Sequence, residues 1–155
     1  MTDRVAALDE DQDPLSLDRQ VCFPLYAATN LLNRLYGPVL RELGLTYPQY
    51  LVMLVLWETA PQTVGTLGAR LYLDSGTLTP LLKRMEASGL VTRTRDPADE
   101  RRVIIDLTDQ GRMLRDRAVH VPATIAGGRT PEGLEELRES VRGLVAMLAD
   151  QHPQG

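Results

Sequence analysis

Residues 74–85 read DSGTLTPLLKRM, a stretch in which polar residues are interleaved with apolar ones. On a helix, its apolar residues would share one side and could pack on a core. The other side would present hydroxyl groups and two cations, from Ser75, Thr77, Thr79, Lys83 and Arg84. Such groups bond to phosphates and base edges, and an α-helix fits the major groove of B-DNA. Alone, the stretch fits an ordinary amphipathic surface helix equally well, so its neighbours decide.

The neighbouring residues predict a winged helix-turn-helix. Thr63 is placed to cap a short helix, and Asp74 to cap the helix of the opening stretch (the reading helix), which ends where Gly89 suits a left-handed C-cap. Two helices joined by a tight turn form a helix-turn-helix. Residues 90–95 (LVTRTR) alternate apolar and polar side chains, and residues 103–107 (VIIDL) are rich in β-branched side chains, so both are predicted strands. The predicted fold class is mainly α with a small β-wing.

The whole chain is predicted to form one compact domain with four segments. Residues 1–15 are acidic, lack apolar periodicity and are predicted to be a disordered tail. Residues 16–45 are predicted to form N-terminal helices, residues 46–108 the winged helix-turn-helix, and residues 109–155 C-terminal helices. The N-terminal and C-terminal helices are assigned to dimerisation.

Prolines set the predicted helix ends in the first half of the chain. A helix is predicted from about Leu17. It is either kinked at Pro24 or starts later, because proline has no N–H for the carbonyl four residues earlier. The sequence YGP at residues 36–38 is predicted to break this helix and to open a short one that ends at Gly44.

Two further caps flank the winged region. Thr46 begins a capping box with Gln49, and the apolar helix that follows it to about Thr59 is predicted to be central. Thr108 is predicted to cap a helix that ends at Val121-Pro122.

The last helix, predicted after a cap at Thr130, carries a long apolar stripe. Its members recur at intervals of three and four: Leu134, Leu137, Val141, Leu144, Val145 and Leu148. Packing on its own domain is one interpretation, but pairing with a second copy, together with the N-terminal helix, is preferred. A two-fold dimer presents two reading helices about 34 Å apart, which matches the half-sites of an inverted-repeat operator in double-stranded DNA.

Composition is ordinary for a soluble globular protein, with 43% hydrophobic and 25% charged residues among 155. No run of roughly 18 apolar residues occurs, and the N-terminus is acidic where a signal peptide would be basic, so a cytoplasmic location is expected. The single cysteine, Cys22, excludes an internal disulfide and an all-cysteine zinc site. His120 and His152 stand far apart, so neither a metal site nor a cofactor is expected.

The net charge of −4 is unusual for a protein that binds nucleic acid, but its distribution resolves the conflict. Residues 1–15 hold five acidic residues against Arg4, which accounts for all of the excess. Residues 75–105 carry six cations against four carboxylates, a local excess of two positive charges beside the reading helix. Phosphate neutralisation by such residues would make DNA binding salt-dependent.

Other function classes fit less well. Asp74-Ser75-Gly76 spells the D-S-G triplet of aspartic proteases, but that triplet belongs to an all-β fold, whereas here it opens a helix. No Gly-rich phosphate loop or G-x-S-x-G motif occurs, so the chain is not expected to be an enzyme. A helical interaction module that does not bind DNA is a further alternative.

The order of these elements resembles the MarR family of dimeric winged-helix regulators. The family's wing pattern, D-x-R…L-T, is matched by Asp99, Arg101, Leu107 and Thr108. Three longer strings resemble its organic hydroperoxide resistance branch (OhrR): CFPLYA at 22–27, LTYPQYLVMLVLWE at 45–58 and LYLDSGTLTPLLKRMEASGLVTR at 71–93. With the wing, the resemblance covers residues from about 17 to 122.

This resemblance implies a repressor that holds DNA while Cys22 is reduced and releases it when an organic hydroperoxide oxidises the thiol. By matching positions, Cys22 is the redox-sensing residue, and Tyr36 and Tyr47 are hydroxyl donors that stabilise its thiolate. Tyr26 matches a further family tyrosine beside the pocket. Two departures stand out: the chain lacks the second, C-terminal cysteine of some members, and Pro24 replaces a plain helix former.

Helix geometry indicates which subunit supplies the tyrosines. Tyr36 follows Cys22 by 14 residues, which is about 21 Å along a helix that rises ~1.5 Å per residue. A contact between them therefore requires a second subunit and a pocket at the dimer interface, unless Pro24 lets the chain fold back. Tyr50 and Tyr72 are assigned to core packing.

Three fates of the oxidised thiol are compatible with the sequence. A small cellular thiol could form a mixed disulfide with Cys22, the sulfenic acid could cyclise with a backbone nitrogen, or it could overoxidise. Two interpretations compete with thiol sensing. Cys22 could be an inert core residue, since free cysteines are often buried, or the chain could be a MarR-type repressor released by a small aromatic ligand.

The predicted DNA-binding residues lie on the reading helix and the wing: Ser75, Thr77, Thr79, Lys83, Arg84, Asp99, Arg101 and Arg102. Arg101 is predicted to enter the minor groove, with Asp99 orienting it through a charge-assisted hydrogen bond. Arg93, Arg95 and Arg102 are as compatible with solvated charges as with phosphate contacts.

Overall fold

The chain folds as a helical protein around a small sheet, and the computed structural model describes residues 13–151. Within these residues, a 3-10 turn at Leu17–Arg19 precedes seven helices: α1 Cys22–Arg41, α2 Tyr47–Glu58, α3 Val64–Leu71, α4 Ser75–Ala87, α5 Asp109–Ala118, α6 Val121–Ala126 and α7 Pro131–Gln151. The strands are β1 Gln62–Thr63, β2 Val91–Arg95 and β3 Val103–Leu107. The predicted fold class is confirmed. Residues 1–12 of the predicted tail and residues 152–155 lie outside the described residues.

Helix α2 forms the centre of the core, as its apolar sequence predicts. Its cap is the expected box, in which the Gln49 N–H donates to Thr46 Oγ1 at 3.4 Å and the Thr46 N–H donates to Gln49 Oε1 at 3.0 Å. The side chains that α2 buries are Gln49, Tyr50, Val52, Met53, Val55 and Leu56. They pack against α1, α3, α4 and α5, so α2 fixes where the reading helix lies.

The helix-turn-helix consists of α3, a short turn and α4, with both predicted caps in place. The Thr66 N–H donates to Thr63 Oγ1 at 3.1 Å, and the Thr77 N–H donates to Asp74 Oδ1 at 2.8 Å. Tyr72 ends α3 in the left-handed region, with a φ of 55°. Its assignment to the core is wrong, because this backbone conformation leaves the side chain 59% exposed.

The wing is an antiparallel hairpin of β2 and β3, in register from Val91 opposite Leu107 to Arg95 opposite Val103. The sequence did not predict β1, whose two residues pair with the other edge of β3. A strand of two residues is too short to show an alternating pattern. The sheet order is β1-β3-β2, so β2 has an open edge.

Helix α1 confirms one prediction about proline and corrects another: it starts later than Leu17, which is one of the two alternatives predicted from Pro24. It begins at Cys22, so Pro24 lies in its first turn, where a missing N–H costs nothing. The predicted break at residues 36–38 is wrong, because α1 continues through Pro38 to Arg41. One backbone bond to Arg34 is lost there, while burial of Leu40 against the core holds the turn in place. Val121-Pro122 likewise starts α6 rather than only ending α5, since Val121 is fully buried.

Apolar surface on α7 and α1 is left uncovered by the described part of the chain. Helix α7 buries none of its side chains, and α1 buries only Leu40. The exposed apolar residues on these two helices include Leu31, Leu32, Leu35, Leu137, Val141, Val145 and Leu148. Packing of the α7 stripe on its own domain is therefore not what the chain does. None of the described helices is long and apolar enough to cross a membrane.

Replacing Gly68 with alanine tests the close approach of α3 to the turn. An added Cβ would lie 2.6 Å from the Leu73 carbonyl oxygen, so Gly68→Ala is expected to lower the free energy of unfolding by about 1–3 kcal/mol. Gly143→Ala in α7 is the control, because nothing lies within 4 Å of its added Cβ and helix propensity favours alanine by ~0.5–1 kcal/mol. Urea unfolding at one protein concentration measures both. If Gly68→Ala were as stable as the wild type, the turn would be able to move away from the added Cβ at no cost.

Candidate functional site

A groove of about 590 Å³ opens between α3, the reading helix α4 and the wing. Of the predicted DNA-binding residues, the structure brings five to this groove: Ser75, Thr79, Lys83, Arg101 and Arg102. Hydroxyl groups line one wall and guanidinium groups the other. The groove therefore offers hydroxyl and cationic groups alongside apolar side chains, and hydroxyl and cationic groups are what phosphates and base edges bond to.

The other three predicted residues lie outside the groove lining. The Thr77 backbone N–H is taken by the Asp74 cap, and its side chain is exposed near the start of α4. Arg84 is exposed in the last turn of α4. Asp99 lies at the wing tip, where it pairs with Arg101.

Several residues that line the groove were not among the predicted DNA-binding residues: Thr63, Val64, Gly65, Arg93 and Arg95. The two arginines could have been assigned to the groove from the alternation of side chains in a strand, because Val91, Arg93 and Arg95 lie on the same face of β2. That face begins in the core at Val91, which is buried, and continues into the groove. No sequence signal marked the three residues at the start of α3.

The wing tip holds Arg101 in a fixed orientation while leaving it in solvent. Its Nε donates to Asp99 Oδ1 at 3.0 Å and its Nη2 donates to Asp99 Oδ2 at 3.2 Å, yet the Arg101 side chain is 90% exposed. These hydrogen bonds, with a smaller contribution from the charge of Arg102, hold the pKa of Asp99 below its usual value. Asp99 therefore stays ionised and keeps the guanidinium in place.

The candidate sensor residues fall into two separate places on one chain. Tyr36 from α1 and Tyr47 from α2 lie with their ring centroids 4.8 Å apart, and the buried Tyr50 lies 6.0 Å from Tyr36. Cys22 is exposed at the first residue of α1, and Tyr26, one turn later, is 68% exposed. Because α1 is unbroken, Cys22 and Tyr36 are separated by about 21 Å along the helix axis.

The three clustered tyrosines are protonated donors at neutral pH. Burial raises the pKa of Tyr36, Tyr47 and Tyr50 above the ordinary value of 10.0. Mutual repulsion of the phenolates raises the pKa of Tyr36 and Tyr50 further. The hydroxyl groups of the three are bonded to no other residue in the described part of the chain. They are available to donate to an anion from elsewhere.

A second groove, of about 540 Å³, runs beside Tyr47 between α1 and the start of α2. Its lining includes Gly37 and Pro38 of α1 and the side chains of Arg34 and Arg41. Residues 13–151 contain no cluster of three or more histidine, cysteine or acidic side chains suited to a metal ion.

Comparison with known proteins gives the family. A family model described as "Transcriptional regulator SarA/Rot" matches residues 34–118. The organic hydroperoxide resistance transcriptional regulator of Bacillus subtilis (strain 168) is 47% identical over 140 residues, which cover 90% of this chain and 95% of that protein. The chain belongs to the MarR family of transcriptional regulators, in the organic hydroperoxide resistance branch.

Two further proteins place the chain within this family. The HTH-type transcriptional regulator TtmR of Methylorubrum extorquens (strain PA1) is 52% identical over 140 residues, covering 90% of this chain and 71% of that one. AbfR is a protein of Staphylococcus epidermidis. The structure of reduced AbfR bound to DNA matches this chain with a TM-score of 0.72 and 38% identity, and the match covers 85% of this chain and 94% of that chain. These relatives are regulators rather than enzymes, and the winged helix-turn-helix of this MarR-family chain is a DNA-binding fold.

Alkaline unfolding tests the tyrosine cluster. Because burial keeps these phenols protonated in the folded state, the unfolded chain ionises first as the pH rises through the ordinary value of 10.0. The contribution of these phenols to the free energy of unfolding should therefore be constant below that pH and fall above it. Tyr36→Phe removes one of the three groups and should make the fall shallower. Urea titrations at pH values that bracket 10.0 measure it. Identical slopes in both proteins would contradict the burial argument.

Proposed function

We propose that the chain is a dimeric repressor that releases its operator when an organic hydroperoxide oxidises Cys22. The observation that carries the proposal is the position of its single cysteine, exposed at the first residue of α1. It occurs in a chain that resembles an organic hydroperoxide resistance regulator over 90% of its length. An exposed thiol is accessible to a peroxide, which a buried core cysteine is not.

The groove between α4 and the wing is the DNA-binding surface in this proposal. The reading helix enters the major groove and presents Ser75, Thr79 and Lys83 to base edges and phosphates. The exposed Arg101, held by Asp99, enters the adjacent minor groove. Thr77 and Arg84, outside the groove lining, are assigned to phosphates at its rim. Arg102 contributes positive charge beside Arg101.

A second copy of the chain covers the exposed apolar residues of α1 and α7 defined above. Leaving such surface in water is unfavourable by about 25 cal/mol per Å². The two wings and reading helices of the dimer then face successive half-sites of an inverted repeat in double-stranded DNA.

The sensor is built from both subunits. One unbroken α1 cannot bring its own Cys22 to its own Tyr36, so the paired tyrosines of one subunit serve the thiol of the other. The hydroxyl groups of Tyr36 and Tyr47 are protonated and donate to the thiolate, which stabilises its charged form. Tyr26, exposed one turn from Cys22, lines the entrance.

Oxidation follows from the chemistry of a thiolate. The sulfur attacks the terminal oxygen of the hydroperoxide, the O–O bond breaks, and the alkoxide takes a proton and leaves as an alcohol. Cys22 is thereby oxidised to a sulfenic acid. The chain has no second cysteine to form a disulfide with Cys22. In this proposal a small cellular thiol attacks the sulfenic sulfur, forming a mixed disulfide and releasing water. A larger group between the subunits changes the spacing of the two reading helices, so the dimer no longer matches its half-sites.

One observation favours a second candidate function, release by a small aromatic ligand. The groove beside Tyr47 has room for such a molecule, and Arg34 and Arg41 at its lining would pair with a carboxylate. In this alternative Cys22 has no sensing role. The two candidates differ in whether a peroxide affects DNA binding.

Replacing Cys22 with serine separates them. Binding to a duplex from the promoter of the chain's own gene is measured by fluorescence anisotropy, with and without cumene hydroperoxide. Wild-type affinity should fall by about tenfold or more, a loss of at least ~1.4 kcal/mol, whereas Cys22→Ser should bind equally well in both conditions. Equal insensitivity of the two proteins, or equal release, would remove thiol sensing.

Mixed dimers test whether the tyrosines act across the interface. In Tyr36→Phe homodimers, Cys22 oxidation should slow by about tenfold or more, because a hydrogen bond to a charged group contributes about 1.5–3 kcal/mol. A heterodimer of Tyr36→Phe and Cys22→Ser chains restores one complete site only if Cys22 and Tyr36 come from different subunits. Its oxidation rate, followed by mass spectrometry, should return to the wild-type value. A rate as slow as that of Tyr36→Phe homodimers would place both residues on one chain. Tyr72→Phe is the control, because Tyr72 is exposed at the end of α3 and does not belong to the tyrosine cluster.

A further inference from the structure

Arg93 lies in the DNA-binding groove, but its charge is already paired within the protein. Its Nη1 lies 3.6 Å from Glu86 Oε1, and its side chain is only 21% exposed, against 90% for Arg101. The Arg93 backbone N–H also donates to Glu86 Oε2, at 3.1 Å. Both carboxylate oxygens of Glu86 are thus directed at one residue of the wing.

The position of Glu86 is unfavourable for its own helix. It lies in the last turn of α4, where the helix dipole disfavours a negative charge. Its contacts explain its presence. Strand β2 has an open edge, and Glu86 accepts the N–H that Arg93 presents on that edge. The carboxylate therefore links the end of the reading helix to the wing and holds an arginine between them.

We propose that Glu86 is a specificity-determining residue, which pairs with Arg93 inside the groove and withholds that positive charge from DNA phosphates. Phosphate neutralisation strengthens binding to every sequence alike. With Arg93 retained by Glu86, a larger share of the affinity rests on the side chains of the reading helix that reach base edges. The inference rests on the proposed DNA-binding function and adds a residue that limits non-specific binding.

The pair differs from the ion pair at the wing tip. Asp99 and Arg101 lie two residues apart on one exposed loop, and Arg101 reaches outward from it. Glu86 and Arg93 belong to different elements, and the arginine is three-quarters covered. To reach a phosphate, Arg93 would have to leave Glu86 behind with a carboxylate facing the DNA.

Salt dependence of DNA binding tests the proposal. Affinities of the full-length protein are measured by anisotropy over a range of salt concentrations, for the promoter duplex and for a shuffled duplex of the same length and composition. In Glu86→Gln the amide still accepts the Arg93 N–H, so the wing stays in place, but the charge of Arg93 is released. Each released arginine adds about 0.9 to the slope of log affinity against log salt, or roughly 1.8 for the dimer. Binding to the shuffled duplex should strengthen more than binding to the promoter.

Two further variants make the test specific to Arg93. Arg93→Ala in the otherwise wild-type protein should leave the slope unchanged, and in the Glu86→Gln background it should return the slope to the wild-type value. Glu139→Gln removes the same charge from an ion pair with Arg142 on α7, far from the groove, and should not alter the slope.

Two results would overturn the inference. A slope lowered by Arg93→Ala alone would mean that Arg93 already contacts phosphate. An unchanged slope in Glu86→Gln would mean that the pair withholds nothing. Failure of the wild type to bind either duplex would instead refute the proposed DNA binding itself, on which the inference depends.

Discussion

Burial of α2 is the interaction on which both functional regions depend. Its fully buried Val52 and Met53 lie where α1, α3, α4 and α5 converge, and each such side chain contributes about 1.5–3 kcal/mol by leaving water. The first residue of the same helix is Tyr47, a member of the tyrosine cluster. One helix therefore joins the tyrosine cluster to the reading helix through close-packed side chains, which transmit displacement because a packed core deforms little.

Two long-range hydrogen bonds complete this connection. The Trp57 indole N–H, at the other end of α2, donates to the Gly111 carbonyl of α5 at 2.9 Å. Arg117, further along α5, donates through Nη2 to the Glu42 carbonyl at the end of α1 at 2.6 Å. Helices α1, α2 and α5 are thus tied at their ends as well as along their apolar faces. In the proposed dimer, a change at the subunit interface would reach α4 and the wing as a movement of the whole unit rather than as a local loosening.

Local chemistry made much of this structure predictable, and tertiary packing explains what was missed. The caps at Thr46, Asp74 and Thr108 were correct because capping is decided by residues three positions apart. The break predicted at Pro38 was wrong because the core holds Leu40, two residues later, and compensates for one lost hydrogen bond. The contact of Glu86 with Arg93 could not be foreseen, since it depends on how the wing folds back onto α4.

In the candidate sensor, too, the sequence predicted what depends on one helix but not what depends on the packing of two. The length of α1 was enough to predict that Cys22 and Tyr36 of one chain stay apart, because helical rise is a fixed quantity. The pairing of Tyr36 with Tyr47, from two helices, needed the structure. The roles of these residues in sensing remain predictions.

If the chain dimerises as proposed, the uncovered apolar stripe of α7 makes the stability of the protein depend on its concentration. Where association buries apolar surface that the single chain leaves in water, folding and assembly share one equilibrium, and stability rises with concentration. In the proposed dimer, a subunit made in small amounts would spend more time alone, with Leu137 and Val141 exposed to water. Abundance then changes more steeply than synthesis.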